Sequence, residues 1–121
     1  MSDDTRWFVE GRITRWVSDE IVEYVLTDAF GQRWTFIEKF YDLTPEELSS
    51  ESQYPQVGYV ACKIIARSDG ESGLAEVDTE ETFRGYESQE GQVRFHVRID
   101  QLKADVLPEP HFVPLIKKTP Q

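Results

Sequence analysis

From Val93 to Asp100 apolar and polar side chains alternate without a break. Val93, Phe95, Val97 and Ile99 fall on one parity, and Arg94, His96, Arg98 and Asp100 on the other. Successive side chains of a strand point to opposite faces, so this pattern describes a strand with one face on a core and one in water. The same period recurs from Trp7 to Trp16, where Val9, Gly11 and Ile13 alternate with Glu10, Arg12 and Thr14. Gly11 in mid-strand marks a bulge or a close backbone approach. From Tyr59 to Arg67, Val60, Cys62, Ile64 and Ala66 share a face, and Leu74 to Thr79 alternates more weakly.

Between these stretches lies a meander. Val17-Ser18-Asp19-Glu20 turns the chain into Ile21 to Thr27, which is apolar on both parities, as expected of a strand covered on both faces. Asp28-Ala29-Phe30-Gly31 has Asp first and Gly fourth, the preference of a type I turn. Gln32 to Lys39 then returns with Trp34 and Phe36 on one face, so Tyr24 to Lys39 reads as a hairpin.

One helix start stands out. Thr44 can cap a helix whose first residue is Pro45, Glu47 completes a capping box, and Leu43 with Leu48 supplies a hydrophobic staple. Ser49, Ser50 and Ser52 limit it to one or two turns. The expected fold is therefore all-β with one short helix, a small antiparallel β-barrel or strongly bent meander sheet of about six strands. Residues 1–105 form a single β-rich domain. Four of the six prolines fall between Pro108 and Pro120, which makes residues 106–121 an extended tail carrying Phe112, Val113, Leu115 and Ile116.

A chain of 121 residues suffices for one core without cross-links. Cys62 is the single cysteine, so no intramolecular disulfide or multi-cysteine zinc site can form. The acidic start lacks the apolar stretch of a secretory signal, and no apolar run is long enough to span a bilayer. A cytoplasmic protein without membrane attachment is expected.

The net charge of −10 is concentrated. From Asp42 to Glu90 there are twelve acidic residues against Lys63, Arg67 and Arg84, whereas the rest of the chain has eleven acidic and ten basic residues. Such a field repels phosphate backbones and anionic lipid and attracts cationic partners. Solubility alone is the plainer explanation, with even weight.

No residue stands at the spacing of a known chemistry. Cys62 shares a parity with Val60 and Ile64, so it should be a buried small hydrophobe with a raised pKa. His96 lies between Arg94 and Arg98, a setting that opposes metal binding, and His111 lies between Pro110 and Phe112 with no partner in sight. Glu76, Asp78 and Glu80 would share one face of an extended segment, but the nearby Asp-Gly loop lacks a calcium-binding pattern. No phosphate loop, nucleophile elbow or dinucleotide fingerprint is present. No catalytic residue, metal site or cofactor is assigned.

The leading expectation is a non-catalytic, acidic protein-binding module that meets a basic protein partner through Glu71, Glu76, Asp78, Glu80, Glu81, Phe83, Tyr86 and Glu87. An inhibitor or immunity-type protein that sets carboxylates where substrate phosphates would lie is its concrete form. Phe83 and Tyr86 would anchor the partner, although tethering of a long loop explains them slightly better. The alternative is a small-molecule-binding β-barrel, enzymatic or not, whose mark would be a cavity holding a charged group with a shifted pKa. The third reading is nucleic-acid binding through Arg12, Arg15, Arg94, His96 and Arg98, against which the overall charge counts.

Overall fold

Two strands are much longer than the others, and each divides its length between different neighbours. The computed structural model describes residues 5–68 and 73–108. Its strands are β1 (Trp7–Ser18), β2 (Ile21–Thr27), β3 (Arg33–Lys39), β4 (Gln56–Arg67), β5 (Leu74–Asp78), β6 (Arg94–Arg98) and the short β7 (Leu102–Ala104). All pairings are antiparallel, in the order β3-β2-β1-β4-β5-β6, with β7 added to β1. The result is an all-β sheet curled into a half-barrel.

The curl comes from β1 and β4. One side of β1 pairs with β7 over Trp7–Val9 and with β2 over Arg12–Ser18, while the other side pairs with β4 over Trp7–Ile13. Register shifts between Ile13 and Arg15 and between Trp16 and Ser18 bend it, as an extra residue in one strand does. In β4 the first half pairs with β1 and the second with β5, with a shift between Ile64 and Ala66.

Loops occupy the two outer edges. The Ala29 amide donates to the His96 carbonyl at 2.8 Å, so the β2–β3 turn sits on the edge of β6. On β3 the Thr35 carbonyl accepts from the Gln89 amide at 2.7 Å, and the Thr35 amide donates to Glu90 Oε1 at 3.0 Å. These contacts use strand groups that would otherwise template another chain. After β6, a 3-10 turn at Ile99–Gln101 returns the chain to β1 as β7, and Gln101 Nε2 donates to the Thr27 carbonyl at 2.8 Å.

The core follows the expected alternation. Phe95 and Val97 are buried in β6 between exposed Arg94, His96 and Arg98. Val9, Ile13, Val22, Tyr24, Leu26, Phe36, Val60 and Val77 are sealed from solvent in the same cluster. On β2, Val22, Tyr24 and Leu26 are buried but Ile21 and Val25 are only half-buried, so its second face is covered in part. Trp34 is half-buried at the rim, edge-on to Phe95 at 5.6 Å, rather than inside with Phe36.

The Tyr24–Lys39 stretch is a hairpin. The Gly31 amide donates to the Asp28 carbonyl at 3.1 Å, closing the four-residue turn, and Gly31 has φ +86°. Asp28 holds it: Oδ1 accepts from the Phe30 and Gln32 amides, each at 2.9 Å, and Oδ2 accepts from Trp34 Nε1 at 3.0 Å.

The helix expected at Pro45 is not formed. The Thr44 hydroxyl does accept from the Glu46 amide at 3.1 Å, and Leu43 and Leu48 are both buried, yet the chain continues as an irregular loop. The Leu43 carbonyl accepts from the Tyr59 amide at 2.7 Å, and the preceding 3-10 turn at Phe40–Asp42 takes the Leu43 and Thr44 amides. With these groups engaged, a single turn of helix would add too few bonds to offset its nucleation cost.

Candidate functional site

The acidic connection between β5 and β6 is a folded unit. Thr79 is fully buried; its amide donates to the Val93 carbonyl at 2.9 Å and its hydroxyl to the Tyr86 carbonyl at 2.7 Å. The Tyr86 amide returns to the Thr79 carbonyl at 2.8 Å, and the Ser88 amide donates to the Gln92 carbonyl at 3.0 Å.

This frame separates the predicted site residues. Asp78 is buried: Oδ1 accepts from the Glu80 and Glu81 amides at 2.8 and 3.0 Å, and Oδ2 from Arg94 Nε at 2.9 Å. Burial pushes its pKa up, but the Arg94 hydrogen bond and the Glu81 and Glu80 amides outweigh that and hold it below the ordinary carboxylate range. Asp78 thus shapes the connection from within. Glu76 shares its strand parity but lies half-buried opposite His96 on β6, so the two do not form one acidic face with Glu80. Tyr86 is buried at 4% exposure and tethers the loop. Glu80, Glu81 and Glu87 are exposed, and Phe83 is 60% exposed. Glu81 reaches Lys63 Nζ at 3.3 Å and Arg94 Nη2 at 3.9 Å. Glu71 lies outside the described residues.

Beside Phe83 runs a groove of about 930 Å³, between the start of β1, the middle of β4 and the acidic connection. Phe8, Cys62, Tyr86 and Leu107 are its buried side chains, and Tyr41 and Phe83 its exposed aromatic ones. Arg6, Asp42, Lys63, Arg67, Glu81 and Arg84 bring charge to it. Arg84 Nε pairs with Asp42 Oδ1 at 3.3 Å, which ties the acidic connection to the segment that succeeds β3.

Around that ion pair lies a titratable cluster that no spacing in the sequence betrays. Burial and the Asp42 charge, against an opposing pull from Arg84, push the Glu38 carboxyl up to about 7. Asp42 is raised by burial against the pull of Arg84 and Lys39, and Tyr86 is raised by burial and the Asp42 charge. Glu38 is on β3, Asp42 in the 3-10 turn, and Arg84 and Tyr86 in the connection, so only the fold assembles them. Cys62 is buried as its parity indicated, and burial pushes its thiol up to about 12. A thiol so held offers almost no thiolate near neutrality.

The cationic residues of the nucleic-acid reading are engaged with carboxylates. Arg12 pairs with Glu10 at 3.3 Å, Arg15 with Glu23 at 3.2 Å, Arg94 with Asp78 at 2.9 Å and Arg98 with Asp100 at 3.1 Å. The His96 ring lies 5.8 Å from that of Phe30. Among the described residues no three His, Cys, Asp or Glu side chains are grouped to hold a metal ion, and no helix is long and apolar enough to cross a membrane. His111 lies outside those residues. Comparison with protein-family models, curated proteins and solved structures gives no match to this chain.

Proposed function

We propose that the chain is a non-catalytic protein-binding module whose contact surface is centred on Phe83. The observation that carries this reading is an aromatic side chain, 60% exposed, on a connection whose own backbone is pinned through Thr79, Asp78 and Tyr86. A large apolar side chain on a fixed frame loses little freedom on binding, which is what makes an effective anchor. Exposed Glu80, Glu81 and Glu87 surround it in sequence and supply the complement to a basic partner. In its concrete form the partner is a basic toxin or nuclease whose phosphate site these carboxylates cover.

The test begins with capture from the host lysate and elution by a salt step. Against a partner so identified, Glu80→Gln, Glu81→Gln and Glu87→Gln together should slow association and flatten its salt dependence, while Phe83→Ala should speed dissociation. Unchanged association and dissociation in both variants would reject the surface.

The groove favours a second reading, a small-molecule site bounded by Tyr41, Phe83 and the Asp42–Arg84 pair. A thermal-shift screen distinguishes it: a hit abolished by Tyr41→Ala, with partner binding intact, would move the function into the groove.

A further inference from the structure

We infer that the groove takes a small aromatic anion, a flat apolar ring system carrying a carboxylate or a phosphate. The inference rests on the small-molecule reading of the groove and names its ligand class. No part of it depends on Phe83 as an anchor for a protein partner.

The charge of the groove runs against that of the chain. The sequence carries −10 overall, yet Arg6, Lys63, Arg67 and Arg84 line the groove against two carboxylates, Asp42 and Glu81. Both carboxylates are taken, Asp42 by Arg84 at 3.3 Å and Glu81 by Lys63 at 3.3 Å. Arg6 and Arg67 are left over, since neither guanidinium pairs with a carboxylate among the described residues. Asp105 Oδ1 does reach Arg6 at 3.0 Å, but it accepts from the backbone amide. Lys39 Nζ, 5.9 Å from the centre of the Tyr41 ring, adds positive charge on that side. A concave site with a surplus of one sign of charge concentrates ions of the other.

The leftover cations are held in place beside aromatic walls. The Arg6 guanidinium lies 5.1 Å over the ring of buried Phe8, and its Nη1 donates to the Leu107 carbonyl at 3.0 Å. Fixed at both points, it gives up little freedom on binding, and its other N–H groups form the planar fork that fits a carboxylate or a phosphate. Arg67 ends β4, with its backbone opposite Ala75 on β5 and its side chain exposed. Trp7 is half-buried in the same wall, and Tyr41 is set edge-on to Phe40 at 5.3 Å. These rings offer faces to a flat apolar body, and about 930 Å³ is ample for one or two rings. A neutral ring would leave Arg6 and Arg67 unpaired, and a polar anion would leave the aromatic walls wet. An aromatic anion uses both.

The test titrates the full chain with naphthoate, naphthyl phosphate, the neutral isostere naphthamide and the cation naphthylmethylammonium, read by calorimetry and ligand-detected NMR. At least one anion should bind about tenfold tighter than the amide, the cation should bind more weakly still, and the preference should shrink with salt. Arg67→Gln, which breaks no ion pair among the described residues, and separately Arg6→Gln should each remove most of that preference. Arg33→Gln, which takes the same charge from an exposed site outside the groove, should leave it intact. Equal binding of anions and amide, or a preference untouched by both groove variants, would overturn the inference and leave an apolar small-molecule site standing. Failure of all four probes to bind would overturn the inference together with the small-molecule reading.

Discussion

The Tyr24 hydroxyl donates a 2.7 Å hydrogen bond to the Val9 carbonyl from a ring that has no solvent exposure. Space for that ring is made by two glycines that face each other across β1 and β4, Gly11 and Gly58. A Cβ on Gly11 would sit 2.6 Å from Tyr24 Cζ and 2.6 Å from the Val25 carbonyl oxygen, and one on Gly58 would sit 2.7 Å from Ile13 Cγ1. The sheet curls tightly here because three strands meet with almost no side chain between them.

Gly11→Ala should therefore cost about 3 kcal/mol of stability, since backbone and a buried ring must both move. Tyr24→Phe should cost about 1–2 kcal/mol by leaving the Val9 carbonyl without its buried donor. Urea unfolding of the two variants checks both values. A Gly11→Ala variant as stable as the parent would show that the sheet can open without penalty.

Asp78 is the internal brace of the acidic connection. Asp78→Ala should lose about 2 kcal/mol, because two amides and the Arg94 guanidinium lose their acceptor. Its pKa is depressed in the fold, so its contribution is present above the unfolded carboxylate pKa and is lost as pH falls through the folded value. Asp78→Ala should accordingly show a smaller loss of stability than the parent on acidification. Equal losses would assign acid sensitivity elsewhere.

Glu38 acts in the opposite sense. Its folded pKa of about 7 lies above the ordinary 4.5, so the folded state holds the extra proton between those values. That contribution is fully present below the unfolded pKa and is lost as pH rises towards and through 7. Glu38→Gln, which cannot ionise, should lose less melting temperature than the parent between pH 5 and pH 8 and should melt higher at pH 8. Thermal unfolding at the two pH values reads this directly, and parallel losses would reject it.

Cys62 should be nearly inert in the folded chain. With its thiol pushed up to about 12, about one molecule in 10⁴ carries thiolate at pH 8, and the side chain is buried. Reaction with a thiol reagent should therefore track global opening and accelerate with urea in step with unfolding. Fast labelling of the native protein would mean that the groove opens locally.

Much of the fold is legible along the chain because two-residue alternation is a local property. The strands around Val9, Phe36, Val60 and Val97 can be placed from it, and Gly11 marks a close approach whose cause, the Tyr24 ring, appears only in the fold. The Leu43–Leu48 signal misleads for the converse reason: capping chemistry is present at Thr44, but the Leu43 carbonyl is taken by Tyr59, a residue far along the chain. The site is less legible. Phe83, Glu80, Glu81 and Glu87 are exposed, whereas Asp78 and Tyr86 turn inward and Glu38, Asp42 and Arg84 meet only in three dimensions.

Local pattern sufficed to place six of the strands and most of their apolar faces, and to establish that Cys62 points inward and where the negative charge is concentrated. Each of these depends on neighbours a few residues away. It did not reveal β7 or the register shift past Ile64 that leaves Ala66 exposed. Folding in three dimensions was needed to give β1 three partners and β4 two, to lay loops over the edges of β3 and β6, and to bring Asp42 to Arg84 at the groove. Those outcomes rest on long-range hydrogen bonds and on burial, and neither carries a period that a single chain displays.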